Sequence, residues 1–76
     1  MNVQEKVFET VAKVCETEVE NVSLESTIGD FPAWDSIGHL TILSTIEEEC
    51  GVSFEPEEMM ELEDVNDIIK AVEAKL

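Results

Sequence analysis

The step Asp35-Ser36, followed three residues later by His39, puts the chain's one imidazole within a helical turn of a hydroxyl and a carboxylate. Such a set invites a nucleophilic reading. A serine hydroxyl attacks at neutral pH only if a base removes its proton, and an effective imidazole base is itself oriented by a third group and works beside an oxyanion site. Neither accompanies these residues. Asp35 stands where an apolar-periodic stretch begins, so its short carboxylate suits the capping of backbone N–H groups. His39 falls inside the apolar arc of the same stretch, as a partly buried packing or hydrogen-bonding residue would. Ser36 therefore reads as a point of attachment rather than a catalyst. A helix amino terminus favours an anion, which suits a phosphate ester on Ser36, although Asp35 next door opposes it. The residues alone leave open the alternative that Asp35 and Ser36 simply share the capping.

The elements that must position this hydroxyl follow from hydrophobic period. Val3, Val7, Val11 and Val14, widened by Phe8 and Cys15, predict an amphipathic helix over about residues 3–16, with Lys6 and Lys13 on its wetter flank. From Glu18 to Trp34 no helical period runs through Val22, Leu24, Ile28 and Phe31, and Gly29 and Pro32 punctuate a long, partly anchored loop. Asp35 then opens a second helix on which Leu40, Leu43, Ile46 and Cys50 share an arc with Ile42 at its edge. Gly38, Thr41, Thr45, Glu48 and Glu49 are expected to face away, and Gly51 to terminate the helix. Val52-Ser53-Phe54 is too short to form a sheet. Pro56, Glu57 and Glu58 resemble the first turn of a short helix ending near Met60 or Glu61, and Leu62 returns the chain to the core. A last helix begins at Asp64 or Asn66 with the stripe Ile68, Ile69, Val72 and Leu76. The expected fold is all-α: a small bundle of three main helices and one short helix, forming a single domain over residues 1–76.

Composition narrows the function. Nineteen Asp and Glu against four Lys give a formal charge of -15, a field that repels nucleic acid and anionic lipid and steers basic protein surfaces and divalent cations toward the molecule. The acids around Asp30 and Asp35 lack the alternating ligand loop of a tight calcium site, and no dedicated metal site is expected, though loose divalent association through Glu47, Glu48 and Glu49 is compatible with the charge. Cys15 and Cys50 form no C-x-x-C pair. They read as small hydrophobes in a reducing cytosol, with a disulfide joining two helices as the alternative. No apolar run is long enough to cross a membrane, and no basic-then-apolar start suggests export, so the expected location is the cytoplasm.

Across essentially its whole length, the chain resembles the acyl carrier proteins of the phosphopantetheine-binding family. A first helix and long loop precede Asp35-Ser36-Ile37. The stripe Leu40, Leu43, Ile46 leads to Glu47-Glu48-Glu49, Cys50 and Gly51, and the short and final helices follow. The resemblance implies that Ser36 is esterified by 4'-phosphopantetheine from coenzyme A in a Mg²⁺-dependent transferase reaction. The arm's thiol would hold acyl or aminoacyl groups as thioesters, and the carrier itself would catalyse nothing. It also implies Asp35 and Trp34 beside the attachment point, and a partner-recognition face at Ile37, Thr41, Ser44, Glu47 and Glu48. Cargo contacts would match Ile28, Phe31, His39, Leu40, Ile46, Met59, Leu62 and Ile68, residues whose plain alternative is the core, with limited chain burial rather than a preformed cavity. Implied partners are a phosphopantetheinyl transferase, an acyl- or aminoacyl-loading enzyme and a downstream synthase with basic docking surfaces.

Two features depart from housekeeping fatty-acid carriers. The attachment run reads Ala33-Trp34-Asp35-Ser36-Ile37, and Gly38 and Thr41 stand where early acids are typical, which shifts the acidic cluster of the recognition helix toward Glu47–Glu49. Trp34 then either packs the loop against the bundle or shields the arm's attachment end, and Gly38 could let a partner or the arm approach the backbone. A polyketide, nonribosomal-peptide or cell-surface modification pathway is therefore as compatible as fatty-acid synthesis. The competing class is an acidic, non-catalytic adaptor for a basic protein partner, which explains the charge but gives Ser36 no task.

Overall fold

The computed structural model describes residues 2–76. Its helices are α1 (Val3–Val14), α2 (Ser36–Cys50), α3 (Pro56–Glu61) and α4 (Val65–Lys75), with one 3-10 turn at Val19–Asn21 in the long loop. Among the described residues the only β-type pairing is an isolated antiparallel bridge between Thr27 and Asp64. No described helix is long and apolar enough to cross a membrane.

The periodic valines explain α1. Val7 and Val11 have no exposed surface, and Asn2 caps the helix by accepting from the Glu5 N–H at 3.1 Å. The helix stops earlier than the apolar pattern suggests, because Glu16 adopts a left-handed conformation (φ 54°) and the Thr17 N–H folds back to the Ala12 carbonyl at 2.9 Å. Thr10, polar in the sequence, is buried on the core side; its hydroxyl donates to the Lys6 carbonyl at 2.8 Å, so it needs no water.

Helix α1 packs on both α2 and α4. Val7 and Val11 join Ile42, Leu43 and Ile46 from α2, and Val65, Ile68 and Val72 from α4, all fully buried. Besides Gly38, described with the site below, three positions differ from the wheel. Ile42 is central rather than marginal, Leu40 is about half exposed (53%), and Leu76 lies outside the core at 71% exposure, beyond the last turn of α4. Gly51 ends α2 as expected, in the left-handed region (φ 69°), where a Cβ would be strained.

The long loop is held by the α3–α4 connection. The Val65 N–H donates to the Ser26 carbonyl at 2.9 Å, the Ile28 N–H to the Glu63 carbonyl at 3.2 Å, and the Asn66 N–H to the Leu24 carbonyl at 3.1 Å. The loop also closes on itself through the Gly29 N–H, which donates to the Trp34 carbonyl at 2.8 Å. These bonds pin a loop that is exposed over most of its length, and they deliver Asp35 and Ser36 to the head of α2 in a defined place.

A candidate attachment site at the head of α2

Ser36 is the first residue of α2, and its side chain is exposed. The preceding carboxylate works as the cap: Asp35 Oδ1 accepts from the Gly38 N–H at 2.8 Å, and the Asp35 carbonyl accepts from the His39 N–H at 2.8 Å. Replacing such a cap by alanine typically costs about 1 kcal/mol.

Gly38 does not face outward. It is buried, and a Cβ there would overlap the carbonyl oxygen of Ala33, so the group that approaches its backbone is the chain's own loop rather than a partner or an arm. Trp34 has no exposed surface at all, and thus none with which to touch a tethered group. Of the two roles expected for it, packing of the loop is the one this burial supports. Its indole N–H donates to His39 Nδ1 at 3.0 Å, and the two rings lie 6.1 Å apart at 21°. His39 is 8% exposed, which agrees with a packed, hydrogen-bonded imidazole and leaves its Nδ1 occupied.

Beside Ser36 runs an open groove of about 480 Å³. Ile28 from the loop, His39 and Leu40 from α2, and Met59 and Leu62 from α3 and its end form its walls. Five of the eight expected cargo-contact residues are thus brought together with the hydroxyl. The other three are not. Ile46 and Ile68 are fully buried in the core, and Phe31 packs half-buried against it. The groove lies open at the surface and is not an enclosed cavity. Pro56, Met60 and Glu63 complete its lining. Met60 is 82% exposed, and the Met59-Met60 doublet was its available sequence signal, since flexible thioethers suit adaptable apolar surfaces.

On the outer face of α2, Ile37 is 76% exposed, and Thr41, Ser44 and Glu48 are also exposed. Glu47, expected with them, turns inward: half-buried, it accepts from the Phe54 N–H at 2.7 Å and holds the α2–α3 loop. Glu49 is engaged at the other edge, 3.6 Å from Lys6 Nζ. Cys15 and Cys50 are both unbridged and buried, and burial pushes both thiols up from their ordinary value. Among the described residues no cluster of His, Cys, Asp or Glu could hold a metal ion.

An exposed hydroxyl, a capped helix start and an adjoining apolar groove fit a phosphopantetheine arm: Ser36 Oγ could carry its phosphoester, and the groove could accept its aliphatic length. No curated protein matches the chain. The family model described as "Phosphopantetheine attachment site" matches residues 5–72, and with nearly the whole chain so covered, the protein belongs to that family of non-catalytic carriers, whose acyl groups ride as thioesters on a phosphopantetheine arm.

Proposed function

We propose that Ser36 is the attachment residue and that the chain delivers acyl or aminoacyl groups to enzymes of fatty-acid, polyketide or related biosynthesis. The observation that carries this reading is the exposed Ser36 hydroxyl lying both at the capped start of α2 and on the wall of the groove. When bound, the arm supplies a thiol that forms thioesters with its cargo. The chain's own residues do the rest. Asp35 fixes the helix start through Gly38, the buried Trp34–His39 pair anchors the segment that presents Ser36, and Leu40, Met59 and Leu62 offer apolar surface beside it.

The partner face in this reading is Ile37, Thr41, Ser44 and Glu48, one exposed aliphatic residue among polar and acidic ones. Its partners are a phosphopantetheinyl transferase, a loading enzyme and a synthase, each with a basic docking surface. The charge of -15 supports fast, salt-sensitive encounter with such surfaces. The proposed setting is the cytoplasm, with which the unbridged Cys15 and Cys50 are compatible.

Intact-mass measurement after incubation with coenzyme A, Mg²⁺ and a broad-specificity transferase tests the assignment. The chain should gain about 340 Da, the mass of the arm as a covalent modification, and Ser36→Ala should gain nothing. No gain under conditions that load a control carrier would favour the acidic adaptor instead.

A further inference from the structure

The Trp34–His39 hydrogen bond determines which imidazole nitrogen carries the proton. An indole N–H can only donate, so Nδ1 must accept, and a neutral imidazole that accepts at Nδ1 holds its hydrogen on Nε2. That Nε2 is buried and has no hydrogen-bond partner, on a side chain more than nine-tenths buried. Buried polar groups in native folds are nearly always paired, so an orphan of this kind points to a partner that the folded chain does not itself contain.

His39 lines the groove beside Ser36 and Trp34 does not. With Nδ1 taken by Trp34, Nε2 is the ring nitrogen left for a ligand of the groove, and because it has no accessible surface the groove wall must shift for one to reach it. We propose that His39 Nε2–H donates a hydrogen bond to a neutral carbonyl oxygen of the arm tethered at Ser36, with Trp34 keeping the proton on Nε2. The proposal rests on attachment at Ser36 and adds a positioning pair to it. The acceptor is neutral for a physical reason. Nε2 is buried, and a phosphate oxygen brought there would lose the water that solvates its charge, whereas an amide or thioester carbonyl has far less to lose. The phosphoester stays at the exposed head of α2, and the arm beyond it turns toward the imidazole. Covalent tethering gives an effective concentration on the order of millimolar, so one hydrogen bond of ordinary strength biases the arm toward the groove. Met59 is the wall residue best able to yield as the carbonyl enters.

The chain has one histidine and one tryptophan, so their ring signals are unambiguous. The full chain, labelled with ¹⁵N at histidine, is loaded from coenzyme A, checked by intact mass, and compared with the unloaded form by two-bond ¹H–¹⁵N correlation. The Nε2–H tautomer is expected in both. On loading, the Nε2 proton should move downfield and exchange with water about tenfold more slowly, as one net hydrogen bond implies. A shift already present with the free thiol assigns the acceptor to an arm amide; one that appears only after acylation assigns it to the thioester carbonyl. His39→Gln, whose amide can accept from Trp34 and still donate to the groove, should keep the relaxation of an isotopically labelled arm close to that of the parent, while His39→Phe leaves the arm as mobile as a free tether. A mass gain with an unmoved Nε2 proton, or an Nδ1–H tautomer, overturns this inference while attachment at Ser36 stands. Absence of the mass gain overturns both.

Discussion

Glu47 and Phe54, seven residues apart, are joined by a 2.7 Å hydrogen bond from the Phe54 N–H to Glu47 Oε2, so one acid of the α2 cluster serves the fold rather than the surface. Glu48, its exposed neighbour, makes no such contact. Glu47→Ala should therefore destabilise the chain by about 1–3 kcal/mol, the cost of leaving a part-buried donor unpaired. Glu48→Ala should fall within about 0.5 kcal/mol of the parent and instead slow association with a transferase, most at low salt. Urea denaturation and stopped-flow binding separate the two.

Gly38 reverses an ordinary propensity. In a solvent-facing helix Gly→Ala gains about 1 kcal/mol. Here the added methyl would overlap the Ala33 carbonyl, and backbone atoms of a loop that is bonded at both ends cannot easily retreat. Gly38→Ala should lower Tm by about 4–8 °C for each kcal/mol lost in a domain of this size. A variant with an unchanged or higher Tm would show that the loop is free to move. The same variant should also be loaded more slowly, because the displaced segment carries Ser36.

How far these features could be read in advance depended on whether their cause was local. Asp35 as a cap, Gly51 as a terminator and the valine stripe of α1 are consequences of near neighbours, and all three appear in the structure. Glu47, Gly38 and Trp34 owe their roles to partners outside their own helix or turn, and a helical wheel contains no such information. Leu40 departs from the predicted arc for a related reason. A wheel assumes one apolar environment, but α2 has two: the core takes Ile42, Leu43 and Ile46, and the groove takes Leu40. The site was legible at Ser36 and Asp35 because hydroxyl and cap are adjacent in sequence. The groove walls come from the loop, α2 and α3 together, and Glu63 emerges only once those elements are assembled.

Lys75 ties α4 to the short helix that forms the far wall of the groove. Its ammonium lies 2.9 Å from Glu58 Oε1 and 5.8 Å from the centre of the Phe54 ring. The hydrogen bond from Lys75 holds the Glu58 carboxyl below the ordinary value of 4.5. A carboxyl depressed on folding binds fewer protons in the native state than in the unfolded chain, so its stabilisation is present above pH 4.5 and is lost as the pH falls through its lowered value. Lys75→Met should destabilise the chain at neutral pH. The difference from the parent should shrink on acidification below that value, measured by urea denaturation across pH. A difference that stays constant with pH would assign the effect to packing over Phe54 alone.

Thiol chemistry offers a test that links core and function. Cys15 and Cys50 are buried, 8% and 7% exposed, and burial raises both above the ordinary value of 9.0; at Cys50 the Glu49 carboxylate adds to the effect. The thiolate is the reactive form, so both side chains are doubly protected at neutral pH, by access and by protonation. The native unloaded chain should give almost no reaction with an aromatic disulfide reagent, and two equivalents once unfolded in denaturant. After loading, one fast equivalent should appear, belonging to the arm, and Ser36→Ala should lack it. Fast reaction of the unloaded native chain would mean that the helices carrying Cys15 or Cys50 open readily, and the groove beside Ser36 would then belong to a much looser bundle than its packing indicates.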